Sequence, residues 1–176
     1  MKILKQKIKG VFLIKPEPIK DKRGMFRRHF CINELKKYGI SKSVEQANVS
    51  ENPKKGTLRG FHFQHKPHQE AKTISCFRGS FYDVVIDLRK KSPTYKKWQS
   101  FTINEKNRYS LHIPKGCANA FLTLVNNTVI HYYCSNSYNP KFESGILYND
   151  PEFGVKWPFK PTYISEKDKN QKLYKY

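Results

Sequence analysis

The side chains of this chain whose types suit the movement of a proton next to a carbonyl are His62, Lys72, Tyr132 and Asp168. His62 sits in Leu58-Arg59-Gly60-Phe61-His62-Phe63-Gln64, and Lys72 follows eight residues after Gln64. A histidine can take the proton, a lysine can steady the resulting oxyanion, and a tyrosine can return a proton from another side. Arg59 and Lys72 would set fixed positive charge near His62, a poor design for an inert core histidine. Taken singly, the other two are weaker. Tyr132, like its neighbour Tyr133, also fits a strand aromatic, and Asp168 falls in a polar stretch where a carboxylate is ordinarily solvated.

The elements that must position these groups read as strands. Short apolar runs are broken by Pro, Gly and Asn every eight to twelve residues or so, the pattern of an all-β barrel or sandwich. Val11–Ile14, Met25–Phe30, Lys72–Phe77 and Ser80–Leu88 are predicted strands, as are Trp98–Ile103, Tyr109–Ile113, Ala120–Leu124 and Thr128–Cys134. Turns fall at Arg78-Gly79, Lys91-Ser92-Pro93, Asn104 to Asn107 and Pro114-Lys115-Gly116. One helix is expected, Asn33–Tyr38, closed by Gly39. No linker or internal repeat divides the chain, so residues 1–176 read as a single domain, with 157–176 a polar tail wrapping the surface.

Composition excludes several classes. No window approaches the 18 or so apolar residues of a membrane span, and the apolar run Val11-Phe12-Leu13-Ile14 is too short for a signal peptide. Cys31, Cys76, Cys117 and Cys134 are scattered without a paired motif, which suits reduced thiols and a cytoplasmic location. The net charge of +20 raises nucleic acid as a partner. However, only seven of the 34 basic residues are arginines, and the lysines are spread along the chain, as on a solvated surface. Such an exterior would still draw in an anionic small molecule. His62, His65 and His68 have a ligand-like spacing, but position 64 is Gln and alternate strand faces would separate His62 from His65. His65 and His68 flank Pro67 as loop residues do, and no metal is expected.

Several further segments, in order, carry a resemblance. They are Asp21-Lys22-Arg23-Gly24-Met25-Phe26, Gln46-Ala47-Asn48-Val49-Ser50, Ala71-Lys72, Asp83 to Arg89, Lys91-Ser92-Pro93-Thr94 and Ile113-Pro114-Lys115-Gly116. Tyr132 with Cys134, Asn149-Asp150-Pro151, Trp157-Pro158 and Ile164 to Asp168 complete them. Together with the His62 segment, they make the chain similar to the dTDP-4-dehydrorhamnose 3,5-epimerase family over nearly its full length.

That resemblance implies an all-β jelly-roll or cupin-like double-stranded β-helix barrel with a short helix or two, acting as a homodimer on a nucleotide sugar without metal or cofactor. It implies His62 as base, Asp168 as its orienting carboxylate, Lys72 as enolate stabiliser and Tyr132 as acid. Arg59 matches a phosphate contact. Arg23 and Phe26 match a nucleotide-binding segment lent by the partner subunit, and Gln46, Asn48, Ser50, Asn119 and Tyr138 are further expected substrate contacts. The chemistry suits these types: in a 4-keto-6-deoxy sugar, C3 and C5 both flank the carbonyl, and inversion needs a base and an acid on opposite faces. Two positions depart from the family. Asn119 stands where a histidine is usual, and Arg28 where an acidic residue is common. These leave open a CDP-, GDP- or UDP-linked substrate and inversion at C3 or C5 alone. A 3,4-ketoisomerase is disfavoured by the missing His-x-His pair, and a basic nucleic-acid-binding barrel is the non-enzymatic alternative.

Overall fold

The computed structural model describes residues 1–40 and 43–175. Its strands are β1 (Lys2–Lys5), β2 (Phe12–Lys15), β3 (Ile19–Asp21), β4 (Gly24–Phe26), β5 (Gln46–Asn52), β6 (Thr57–Gln64) and β7 (Lys72–Arg78). They continue as β8 (Ser80–Asp87), β9 (Trp98–Asn104), β10 (Ser110–Ile113), β11 (Cys117–Thr123), β12 (Thr128–Cys134), β13 (Glu143–Gly145) and β14 (Tyr163–Ile164). One six-stranded sheet runs β1-β2-β10-β7-β12-β5, and the other runs β13-β6-β11-β8-β9 with β14 added parallel to β6. The two sheets face one another as a jelly-roll, cupin-like barrel.

Alternation along the strands sorts the apolar residues into three layers. Between the sheets lie Ile74, Cys76, Phe81, Val85, Ile103, Leu111, Phe121 and Ile130. The outer face of the β6-β11-β8 sheet buries Phe61, Val84, Ile86, Ala118 and Ala120 under Ile146, Phe153 and Trp157 of the C-terminal segment. On the other sheet, Phe12 and Ile14 are covered by Leu35 and Ile40. The covering helix α1 (Ile32–Leu35) runs into a 3₁₀ turn over Lys36–Tyr38 and stops at Gly39, whose φ of 71° is the left-handed conformation glycine adopts freely.

The expected strand Met25–Phe30 is shorter than predicted. Only Gly24–Phe26 pairs, as half of the exposed β3–β4 hairpin. The chain then leaves strand geometry, and His29 and Phe30 pack their rings edge-on to Tyr133. Residues 157–175 include β14 and the short helix α2 (Glu166–Lys169). Far from being solvated, Asp168 on α2 is only 3% exposed.

Candidate active site

Strand β6 positions the histidine, and a bulge decides where it points. Asn119 on β11 pairs with His62 and Phe121 pairs with Arg59, so two residues of β6 face one of β11 between them. The extra residue brings Arg59 and His62, three apart in sequence, to one cavity wall. Gly60 is at the bulge with φ of 112°, and a Cβ there would lie 2.5 Å from the Asn119 carbonyl oxygen. Only glycine fits. The same irregularity directs the Gly60 N–H to Asp168 Oδ2 at 3.3 Å.

Asp168 in turn holds the histidine. Its Oδ1 lies 2.6 Å from His62 Nε2. A carboxylate there accepts the Nε2 proton and leaves Nδ1 as the lone pair, the tautomer a base requires. Nδ1 has no protein partner among the described residues. Burial works to raise the Asp168 pKa, but the His62 ring, the Gly60 N–H and Ser165 outweigh it and hold the carboxyl below the usual range. Ser165 caps α2 by accepting the Asp168 N–H at 3.1 Å, which fixes the turn that presents the carboxylate.

Lys72 and Tyr132 reach the same space from the opposite sheet, on β7 and β12. The cavity they share with His62, Arg59, Ser50 and Asn119 has a volume of about 340 Å³. Burial raises the Tyr132 pKa against the lowering pull of Lys72 and Arg59, so its hydroxyl carries a proton at neutral pH. Arg59 Nε donates to Asn52 Oδ1 at 3.1 Å. A second cavity of about 300 Å³ adjoins the first, sharing His62, Lys72 and Tyr132 and extending past Gln46, Asn48 and Tyr138. All the predicted residues of the two cavities are therefore brought together.

Arg23 and Phe26 are not among them. Both lie on the exposed β3–β4 hairpin, where Arg23 donates to Asp21 and Phe26 is 69% exposed. Arg28 pairs with Glu34 at 2.7 Å, also outside the cavities.

Four acidic and basic groups at the site escaped the sequence reading. Glu70 pairs with Lys72 at 3.0 Å. Glu143 accepts from the Tyr138 hydroxyl at 2.7 Å and from Lys167 Nζ at 2.5 Å, closing one rim of the second cavity. Asp83 is fully buried behind the first cavity and accepts from Asn119 Nδ2 at 3.2 Å, which engages one of the two N–H groups of that amide. Burial pushes its carboxyl well above the ordinary range, against the pull of Asn119 and Lys72. A carboxylate inside the apolar run Phe81–Ile86 was the one available signal; Glu70, Glu143 and Lys167 had none.

Among the described residues, no group of three or more His, Cys, Asp or Glu side chains has an arrangement that could hold a metal ion. His65 and His68 are in the loop after β6, where His65 contacts Ser144 and His68 stacks on Phe142.

Residues 5–175 match the family model for dTDP-4-dehydrorhamnose 3,5-epimerase. A protein of that name from Methanothermobacter thermautotrophicus is 36% identical over 174 residues, covering 97% of this chain and 93% of the relative. The fold superimposes on a Bacillus anthracis dTDP-4-dehydrorhamnose 3,5-epimerase with TDP and PPi bound, with a TM-score of 0.95 and 36% identity over 98% of this chain and 99% of that one. A Legionella pneumophila dTDP-6-deoxy-D-glucose-3,5-epimerase in complex with dTDP-4-keto-L-rhamnose gives a TM-score of 0.92 at 32% identity, covering 98% of this chain and 92% of that one.

Proposed function

The chain belongs to the dTDP-4-dehydrorhamnose 3,5-epimerase family, and we propose that it inverts C3 and C5 of a dTDP-linked 4-keto-6-deoxy sugar through His62, Lys72, Tyr132 and Asp168. Nδ1 of His62 removes the proton from the carbon beside the ketone. The C–H electron pair becomes the C=C bond of an enolate, and negative charge moves to O4. Lys72 answers that charge with an ammonium in a partly dry cavity, where it is worth more than in water. Tyr132 then delivers its phenolic proton to the opposite face, and the configuration inverts. Asp168 keeps the imidazole in the correct tautomer and stabilises the imidazolium formed in the first step.

The observation that carries this reading is the placement of base and acid on facing sheets, His62 on β6 and Tyr132 on β12, around one cavity. A sugar held between them offers one face to each. The adjoining cavity past Gln46, Asn48 and Tyr138 suits the nucleotide, and Arg59 suits a phosphate.

The projecting β3–β4 hairpin supports a homodimer in which Arg23 and Phe26 complete the partner's nucleotide site. Its apolar side chains Ile19, Met25 and Phe26 are 68%, 39% and 69% exposed, a burden for a tip that meets nothing. Biosynthesis of a surface-polysaccharide sugar in the cytoplasm is the corresponding role; among the described residues, no helix is long and apolar enough to cross a membrane.

Incubation in D₂O with dTDP-4-keto-6-deoxy-D-glucose, followed by NMR, tests the reading. Deuterium at both C3 and C5 with inversion is expected. Exchange at one carbon only would make the enzyme a mono-epimerase, and turnover of only CDP-, GDP- or UDP-linked sugars would move the base assignment.

A further inference from the structure

Lys72 does not stand alone in the cavity. Glu70, two residues earlier in an extended stretch, faces the same side and places Oε1 3.0 Å from Lys72 Nζ. The pair is withdrawn from water, with side chains 8% and 18% exposed. Glu70 is itself braced. Gln64 Nε2 donates to its other oxygen, and that amide is tied to the His68 carbonyl at 3.1 Å and receives the Asn139 N–H at 2.7 Å. A buried carboxylate this well fixed is a costly feature beside a group whose charge the reaction needs.

We propose that Glu70 is a positioning residue for Lys72, an inference that rests on the enolate chemistry above. Lysine is a point charge on a flexible four-carbon stem. Unrestrained, it would sample many rotamers and be drawn to the diphosphate of an incoming nucleotide sugar. Anchored by Glu70, the ammonium stays at the cavity wall and keeps its remaining protons for O4. The substrate then meets a preorganised cation, and no side-chain ordering is left for the moment of reaction.

The test is a double-mutant cycle with dTDP-4-keto-6-deoxy-D-glucose, read as kcat, KM and deuterium incorporation at C3 and C5. Glu70→Ala is expected to lower kcat and exchange together by about 10- to 100-fold, the cost of a displaced catalytic group, with KM changed less than about threefold. Glu70→Gln keeps one acceptor of the same length for Lys72 but turns its own N–H₂ toward the Gln64 Nε2 donor, so it should recover only part of the loss and fall between Glu70→Ala and the wild type. In a Lys72→Ala background, Glu70→Ala should cost less than about twofold more, because the residue it serves is gone. Wild-type kinetics in Glu70→Ala, or a full multiplicative loss in the Lys72→Ala background, would overturn the proposal.

A readout independent of turnover is NMR of the lysine ammonium groups in uniformly ¹⁵N-lysine-labelled protein. The Lys72 signal, assigned by its disappearance in Lys72→Ala, should be sharp in the wild type and broadened by water exchange in Glu70→Ala. An unchanged signal would refute the anchoring. A wild-type protein that shows the sharp signal but turns over no sugar would refute the function and leave the anchoring intact.

Discussion

His62 and Tyr132 are assigned opposite ends of one proton inversion, and their variants should fail differently. Without the His62 imidazole no C–H bond is broken, so His62→Ala should lose both inversion and deuterium uptake, by about 10²- to 10⁴-fold or more. Tyr132→Phe leaves the base, Asp168 and Lys72 in place. It should still exchange hydrogen with retention, the proton returning from the His62 side, while inversion falls sharply. NMR of the recovered sugar distinguishes the two outcomes. Inversion at the wild-type rate in Tyr132→Phe would remove Tyr132 as the acid and direct attention to Tyr138, whose hydroxyl is held by Glu143 at the rim of the adjoining cavity. Tyr133 is an unsuitable substitute, since its ring packs against His29 and Phe30.

Helix α2 carries Asp168, the proposed orienting carboxylate, on very little secondary structure. It is four residues long, too short to persist alone in water, and is held by its surroundings. Ser165 accepts the Asp168 N–H, β14 pairs in parallel with β6 just before it, and Asp168 grips both the Gly60 N–H and the His62 ring. Ser165→Ala should therefore cost more than an ordinary cap. About 1 kcal/mol of stability is expected from the lost capping bond. In addition, kcat should fall several-fold as the carboxylate loses its fixed approach to the imidazole. Urea unfolding and steady-state kinetics measure the two effects. A stability loss with unchanged kcat would show that the contacts to β6 alone orient Asp168.

At the scale of the molecule, two properties follow from how the chain is assembled. If the β3–β4 hairpin serves the partner's site, Arg23→Ala chains and His62→Ala chains complement one another. The mixed dimer has one site with both defects and one with neither. Mixing equal amounts of the two inactive proteins should restore up to about a quarter of wild-type activity, as random pairing makes half of the dimers mixed and half of their sites intact. No recovery on mixing would place Arg23 in its own subunit's chemistry.

The second property is acid sensitivity. Burial lowers the pKa of His29 to about 4, helped by His131 and Arg27, and burial alone lowers His112 to about 4. Below the ordinary histidine value of 6.5 the unfolded chain takes up protons that these folded histidines refuse. Stability should be unaffected by them above that pH and fall steadily down to about 4, where the folded state also protonates. Asp168, whose folded pKa lies below the usual value, adds a loss at still lower pH. Urea midpoints between pH 7.5 and 4.5 should show this slope, and His112→Asn should flatten it.

The strand-rich class was legible in the chain itself, and the family resemblance nominated His62, Lys72, Tyr132 and Asp168. Period-two runs such as Tyr109–Ile113 form strands wherever they find partners. Strand β5 was not legible as a strand because its polarity is inverted. Gln46, Asn48 and Ser50 are the half-buried positions of the strand and line the cavities, while Val49 is 59% exposed at the edge of the first, so hydrophobic alternation gives the wrong face. The other features depend on how distant segments pack together. The bulge that turns Arg59 and His62 to one wall depends on the β11 register, the burial of Asp168 on a partner 106 residues away, and the roles of Glu70 and Asp83 on what packs around them. Local pattern encodes which face of a strand is apolar. Which strand it meets, and in what register, is settled by contacts distant in sequence, and it is those contacts that bring His62 and Tyr132 to one cavity.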